Sequence, residues 1–368
     1  MAFSIDTSLI GFYNPNLALD RGLSLYICFV VPCSSDQFDF GAGHNIFISE
    51  GKRFKMEKKP FPGEDIKRRL KAAARDRVHR FFLSDGDVRG ALVHGTRLVQ
   101  EMRNNHQLGL LETLVLGHAY LGALLVASSL KGNDRIALKI TCSGPVRGLV
   151  VEANARGEVR GYLQQTPIPV ESPLENFDLS PFFGAGFLSI TRYLHDAKQP
   201  FTGQVALQHG NIAQDLAHYY RTSEQIPTAF NLSIQFKPDG EVAGAGGLFL
   251  QVMPGAGDDT ATELEKIVYG LPSIGAVCAD QGDLEGLILT QFVSLNPVLL
   301  DKPRVEFYCP CGRKELARIL GTLPEADLRD IRQNGPFPLE MRCHHCNTVY
   351  AFGRDEIKAL CDERGLDG

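Results

Sequence analysis

At 368 residues with 44% hydrophobic side chains, the chain is too long for one small core and suits two or three globular domains. A net charge of −5, with 22% charged residues, gives no basic excess and so argues against a polyanion-binding protein by composition. Nine cysteines, an odd number with four of them in two close pairs, exclude a secreted disulfide framework and suggest metal-ligand spacing instead.

Taken in chain order, residues 1–63 show no sustained period, and Met56-Glu57-Lys58-Lys59 looks like a natural start. This stretch is expected to be poorly ordered or to lie upstream of the true start. Its apolar run from Leu23 to Val31 is too short to span a membrane, and Pro32 before Cys33 departs from a lipoprotein cleavage box. From Glu64 to Leu83 the spacing of Ile66, Leu70 and Ala73, continued by Val78, Phe81 and Phe82, predicts a charged amphipathic helix. A second, more apolar helix is predicted from Leu108 to Leu130. Glu112 and His118 interrupt it and Lys131-Gly132 stops it, as in a buried helix of a soluble protein. The expected location is therefore the cytoplasm.

Period two begins at Ile136, Leu138 and Ile140, and turns at Ser143-Gly144-Pro145 and Asn154-Ala155-Arg156-Gly157 predict three antiparallel strands ending near Leu163. Gly186 to Thr191 and Gly203 to Leu207 are expected to pair. Asn211 is placed to cap a short helix carrying Ile212, Leu216 and Tyr219, which stops before Pro227. Phe230 to Phe236 alternates, Lys237-Pro238-Asp239-Gly240 supplies a hairpin turn, and Val242 to Met253 returns, with glycines at 244, 246 and 247 marking close packing. Residues 64–253 thus read as one α+β domain on antiparallel sheet. Residues 254–304 read as a metastable linker, with weak helices at Glu263 to Tyr269 and Leu284 to Leu300, and 305–368 as a zinc-binding domain.

The zinc reading rests on Cys309-Pro310-Cys311 and Cys343-His344-His345-Cys346, which enclose 31 residues that read as helices over Lys314 to Leu320 and Glu325 to Asn334. A close pair of soft ligands at each end of a small unit supplies the tetrahedron that one Zn²⁺ prefers. Two free thiol pairs, or His344 or His345 replacing a cysteine, are the competing ligand readings. A unit of about sixty residues buries too little apolar surface to be safely stable alone, so structural zinc, worth on the order of 10–16 kcal/mol, is expected to hold it folded. Bound thiolates are also the form that oxidants attack, and a bridge across the single residue between Cys309 and Cys311 would be strained and easily reduced.

The segments FYCPCGRKELARILGTLPEADLRDI and LEMRCHHCNTVYAF, with CSGPVRGLVVEANARGEVRGY, GNIAQDLAHYYRTSEQIPTA, AGAGGLFLQVMPGA and His79-Arg80-Phe81, resemble the 33 kDa chaperonin (heat shock protein 33) family in both content and order, over roughly residues 70 to 361. The resemblance implies a chaperone without enzymatic activity, idle when reduced and zinc-bound and activated by oxidation. It implies that Cys343 and Cys346 form the first disulfide and release zinc, and that Cys309 and Cys311 form the second. It further implies linker unfolding, a homodimer when oxidised, unfolding proteins as clients held without ATP, and ATP-dependent foldases downstream. No nucleic acid and no membrane is implied as a partner, and no P-loop occurs in the sequence. Apolar residues of the linker, Ile267, Leu271, Leu284, Leu287, Ile288, Leu289 and Phe292, are the candidates for holding clients. Cys278 and Cys361 lie outside the four-cysteine pattern and read as spectators, although Cys278 could bridge once the linker opens. Two rival readings remain. One is a zinc-ribbon module binding nucleic acid or protein without redox switching, and the other is a thiol–disulfide oxidoreductase using Cys343 and Cys346, which lacks a thioredoxin-like βαβ setting. His79, His118 and His209 read as packing or surface residues.

Overall fold

The computed structural model describes residues 27–29, 56–59, 75–170 and 178–366. The predicted helical segment over 64–74, and nearly all of the N-terminal stretch, lie outside the described residues. The chain divides into two compact units, one from Lys59 to Tyr308 and one from Cys309 onward that also includes the N-terminal residues through Lys58.

Strand β1 (Ile27–Phe29) belongs to the second unit. Among the described residues of the first unit the earliest strand is β2 (Arg77–Leu83), and this corrects the end of the helix expected to run to Leu83. Val78, Phe81 and Leu83 are buried because β2 pairs antiparallel with β3 (Val88–His94), from Arg77 opposite His94 to Leu83 opposite Val88. The overlooked signal is Ser84-Asp85-Gly86, a tight turn in which Ser84 and Asp85 take φ of 48° and 55°.

Helix α1 (Thr96–His106) follows, then α2 (Leu110–Ala127), which is buried round almost its whole circumference. α2 is long and apolar enough to cross a membrane, yet 89% of it is buried inside the protein. It packs on strands of both large sheets, and Tyr120 Oη donates to Gly161 O at 3.0 Å. Glu112, buried in its first turn, accepts from the Ile168 backbone N–H at 2.8 Å.

The three predicted strands are β4 (Arg135–Cys142), β5 (Gly148–Asn154) and β6 (Glu158–Leu163), and the expected pair is β7 (Gly186–Tyr193) with β8 (Phe201–Ala206), preceded by a single helical turn, α3 (Ser180–Phe183). Asn211 caps α4 (Ile212–Tyr219), its side chain accepting from the N–H groups of Ala213 and Gln214. The hairpin of β9 (Thr228–Phe236) and β10 (Val242–Val252) closes where predicted, with Gly240 at φ 83°.

Residues 254–304 lie within this unit as α5 (Asp258–Gly270), α6 (Ile274–Ala279), α7 (Leu284–Gln291) and β11 (Val298–Asp301). The expected helix from Leu284 to Leu300 is corrected: Asn296 takes a left-handed φ of 47° before Pro297, and the chain then pairs with β2 as an edge strand. With β12 (Glu306–Phe307), the unit holds a five-stranded sheet, β11-β2-β3-β10-β9, and a six-stranded sheet, β12-β6-β5-β4-β7-β8. Within this unit the described pairings are antiparallel except β12 with β6, so the α+β class holds.

The helices α5–α7 cover the five-stranded sheet. Leu264, Ile274, Leu284, Ile288 and Phe292 are buried among Phe81, Leu92, Leu248 and Leu250. The glycines of β10 make this possible, since a Cβ at Gly246 would lie 2.7 Å from Ile274 Cγ2 and 2.9 Å from Cys278 Sγ. Both faces of β10 are therefore covered, which explains its nearly unbroken run of buried residues.

The second unit contains α8 (Arg313–Leu320), α9 (Glu325–Asn334), β13 (Leu339–Cys343), β14 (Val349–Phe352) and α10 (Arg354–Glu363). Its two predicted helices are present. β13 pairs antiparallel with β14, and β1 adds to β13 as a parallel third strand. Its core is small: Leu316, Leu320, Leu328, Leu339, Met341, Ile357 and the sulfur of Cys361 carry most of it.

Candidate metal centre

The two cysteine pairs are placed differently, one by the approach to a helix and one by a turn between strands. Cys309 and Cys311 sit just before α8, whose N-cap is Gly312, so the chain leaves the pair directly into a helix. Cys343 ends β13, and the Asn347 N–H donates to the Cys343 carbonyl at 2.7 Å while Asn347 itself takes φ 58°. That left-handed residue folds the chain back on itself, brings Cys346 beside Cys343, and returns the backbone as β14. Arg342 Nη1 donates to Asn347 Oδ1 at 2.9 Å and steadies the turn.

The four sulfurs are buried and lie within 4.8 Å of one another. Cys309 and Cys343 are 3.8 Å apart and Cys311 and Cys346 are 3.3 Å apart. A zinc–sulfur distance of about 2.3 Å places tetrahedral sulfurs about 3.8 Å apart, so the cage has the right size for such an ion. The cysteines are free rather than bridged. His344 and His345 are not members of the ligand-bearing cluster found among the described residues.

Charge crowding points the same way. The sulfur of Cys309 first, then that of Cys311, pushes the thiols of Cys343 and Cys346 well above the ordinary thiol range, and burial adds to it. Four buried sulfurs this close cannot all be thiolates unless a cation shares the cage. Tyr350 Oη donates to the Cys311 carbonyl at 3.3 Å and lies 3.4 Å from its sulfur, and Thr348 Oγ1 lies 3.3 Å from Cys346 Sγ. These neighbours fix the directions of the ligands.

The other predicted residues fall elsewhere. Leu284, Ile288 and Phe292 are fully buried in the first unit, Ile267, Leu271 and Leu287 are partly buried against the same core, and Leu289 is exposed. The structure gathers the first six on one covered face. Cys278 is buried under β10, and burial pushes its thiol up to about 12, so it stays protonated and unreactive in this fold. Cys361 is wholly buried, with its sulfur 3.7 Å from the Leu328 carbonyl. Burial pushes the His118 imidazole down to about 4 and lowers that of His79, which sits 3.4 Å from Glu285, and exposed His209 meets His218 edge-on. Sequence reasoning missed Met56, Thr348 and Tyr350 around the cage. Only the position of the last two, just past a ligand on the return strand, could have suggested them.

A cage of four buried thiols, in a small unit carried by a chain whose larger unit layers one helix between two sheets, defines a two-unit α+β protein with a cysteine cluster able to hold a metal ion. Residues 76–353 match the family described as Hsp33 protein. A 33 kDa chaperonin of Desulforamulus reducens is 34% identical over 286 residues, covering 77% of this chain and 97% of the relative. One from Levilactobacillus brevis is 31% identical over 292 residues, covering 78% and 98%. The crystal structure of the 33 kDa chaperonin (heat shock protein 33 homolog) of Thermotoga maritima matches with a TM-score of 0.71 at 32% identity, over 80% of this chain and all of that one. The chain belongs to the Hsp33 family.

Proposed function

We propose that this chain is a redox-regulated, ATP-independent holdase that binds unfolding proteins during oxidative stress in the cytoplasm. The observation that carries the reading is the cage of four buried sulfurs, whose ionised form needs a cation and whose oxidation would destroy the cation's site. Bound zinc would supply charge balance and hold the small unit folded in the reduced, idle state. Cys309, Cys311, Cys343 and Cys346 are its ligands and also the redox centre.

Peroxide or hypochlorous acid takes two electrons from a thiol pair: one sulfur becomes a sulfenic acid, the second thiol displaces water or hydroxide from it, and a disulfide results. In the order the family implies, Cys343 with Cys346 closes first and Cys309 with Cys311 second. Loss of ligands removes the brace of a unit with a small core, and its unfolding spreads to residues 254–304. Ile267, Leu271, Leu284, Leu287, Ile288 and Phe292 then leave the sheet and, with Leu289, receive clients. The oxidised chain acts as a homodimer and hands clients to ATP-dependent foldases.

A zinc-ribbon module that contacts nucleic acid fits less well, because four arginines of the second unit are matched by acids, Arg313 with Glu356, Arg318 with Glu315, Arg329 with Glu325 and Arg332 with Asp362. The test is zinc content and suppression of client aggregation, without ATP, before and after hypochlorous acid. Zinc in the reduced protein, its release by oxidant and a gain of holdase activity are expected. Holdase activity that is indifferent to oxidant would overturn the switch.

A further inference from the structure

We propose that Met56 is a positioning residue for the four-cysteine centre, part of a brace that the N-terminal stretch of this chain lays against the cage. Met56 is buried, and its Sδ accepts the backbone N–H of Cys309 at 3.0 Å. The next residue continues the contact, since the Glu57 carbonyl accepts from Thr348 Oγ1 at 3.4 Å, and that same hydroxyl lies 3.3 Å from Cys346 Sγ. Thr348 in turn accepts the Cys343 N–H through its carbonyl at 2.9 Å, and Phe29 of β1 stands opposite Cys343 in the parallel ladder. Three of the four ligand positions are thus held, directly or through one residue, by segments that precede residue 76, where the family match begins.

The physical need is clear at Cys309. The residue is wholly buried, so its N–H must find an acceptor inside the protein, and the acceptor it finds is a thioether. A thioether is a weak, polarizable partner that also fills irregular space, so Met56 packs against the cage and orients Cys309 with one side chain. Fixing that N–H fixes the Cα–Cβ direction, and with it where the sulfur points. Outer-sphere contacts of this kind tune metal affinity by about 10–100-fold. The brace therefore sets how readily the centre gives up its ion, and does so from outside the part of the chain that the family shares.

The proposal rests on the metal reading of the site. Its test uses the reduced, zinc-loaded full chain and two readouts: the rate at which zinc passes to a chelating dye, and hydrogen exchange at the Cys309 amide. Met56→Ala is expected to speed both by about fivefold, and Met56→Leu, which keeps bulk but offers no acceptor, by about two- to threefold. Amides of β10 in the other unit should exchange as in the wild type. Wild-type values in Met56→Ala overturn the brace, and Met56→Leu matching the wild type in both readouts overturns the sulfur's role as acceptor. A wild-type protein that holds no zinc defeats the metal reading, while exchange at Cys309 still decides the brace.

Discussion

The two units reach stability by opposite means. From Lys59 to Tyr308, a buried helix lies between two sheets and three further helices cover one outer face, so large apolar side chains such as Phe81, Tyr120, Phe249 and Phe292 sit in continuous contact with others like them. From Cys309 onward a few aliphatic residues share the interior with five cysteines, and four of those sulfurs lie close enough together to hold a cation. The first unit stores its stability in area, which no reagent removes. The second has little such area, and on the function proposed above it stores its stability in a coordination site, which mild chemistry can take apart.

The sharpest way to break that comparison is to remove the metal. Stripping zinc from reduced protein with a chelator should unfold the second unit, a loss on the order of 10 kcal/mol, while amides of β3 and β10 stay protected in hydrogen exchange. Equal loss of protection in both units would mean they are not separately held. A smaller effect sharpens the other side: Phe292→Ala removes a buried ring 5.9 Å from Phe81 and should cost the first unit about 3–5 kcal/mol in urea denaturation, without loss of bound metal. No change in the midpoint would show that α7 is not part of that core.

The smallest effect is in pH. His118 has a folded value of about 4 against an ordinary 6.5, so below pH 6.5 the unfolded chain takes up a proton that the folded chain refuses. Stability from this group is therefore intact above 6.5 and falls as pH drops toward 4, by up to about 3 kcal/mol. His118→Gln should flatten the pH dependence of unfolding of the first unit over that window, and an unchanged slope would refute the assignment.

Much of this was legible from local pattern. The strands β4 to β6, the hairpin at Lys237 to Gly240, the Asn211 cap and the two cysteine pairs that come together each announce themselves within a few residues. What failed was what depends on distant partners. Residues 77–83 carry apolar side chains that suit a helix or a strand, and only pairing with β3 decides between them. β11 was read as helix because its partner, β2, lies more than two hundred residues away. The burial of Leu284, Ile288 and Phe292 was equally invisible, since the sheet they cover joins β2 and β3 from the far end of the unit to β9 and β10. Around the cage, the cysteine spacing picked out the four sulfurs but gave no hint that a methionine some 250 residues upstream would stand beside Cys309.

The bare stripe on β10 beneath α6 has a consequence for inheritance as well as for folding. At Gly246 any larger residue would wedge against Ile274 and Cys278, and at Gly244 it would strike the backbone of Gly275 and Ala279. A single base change there would pry the covering helix from its seat in every copy of the chain, a displacement fixed by the gene and beyond the reach of any change in conditions.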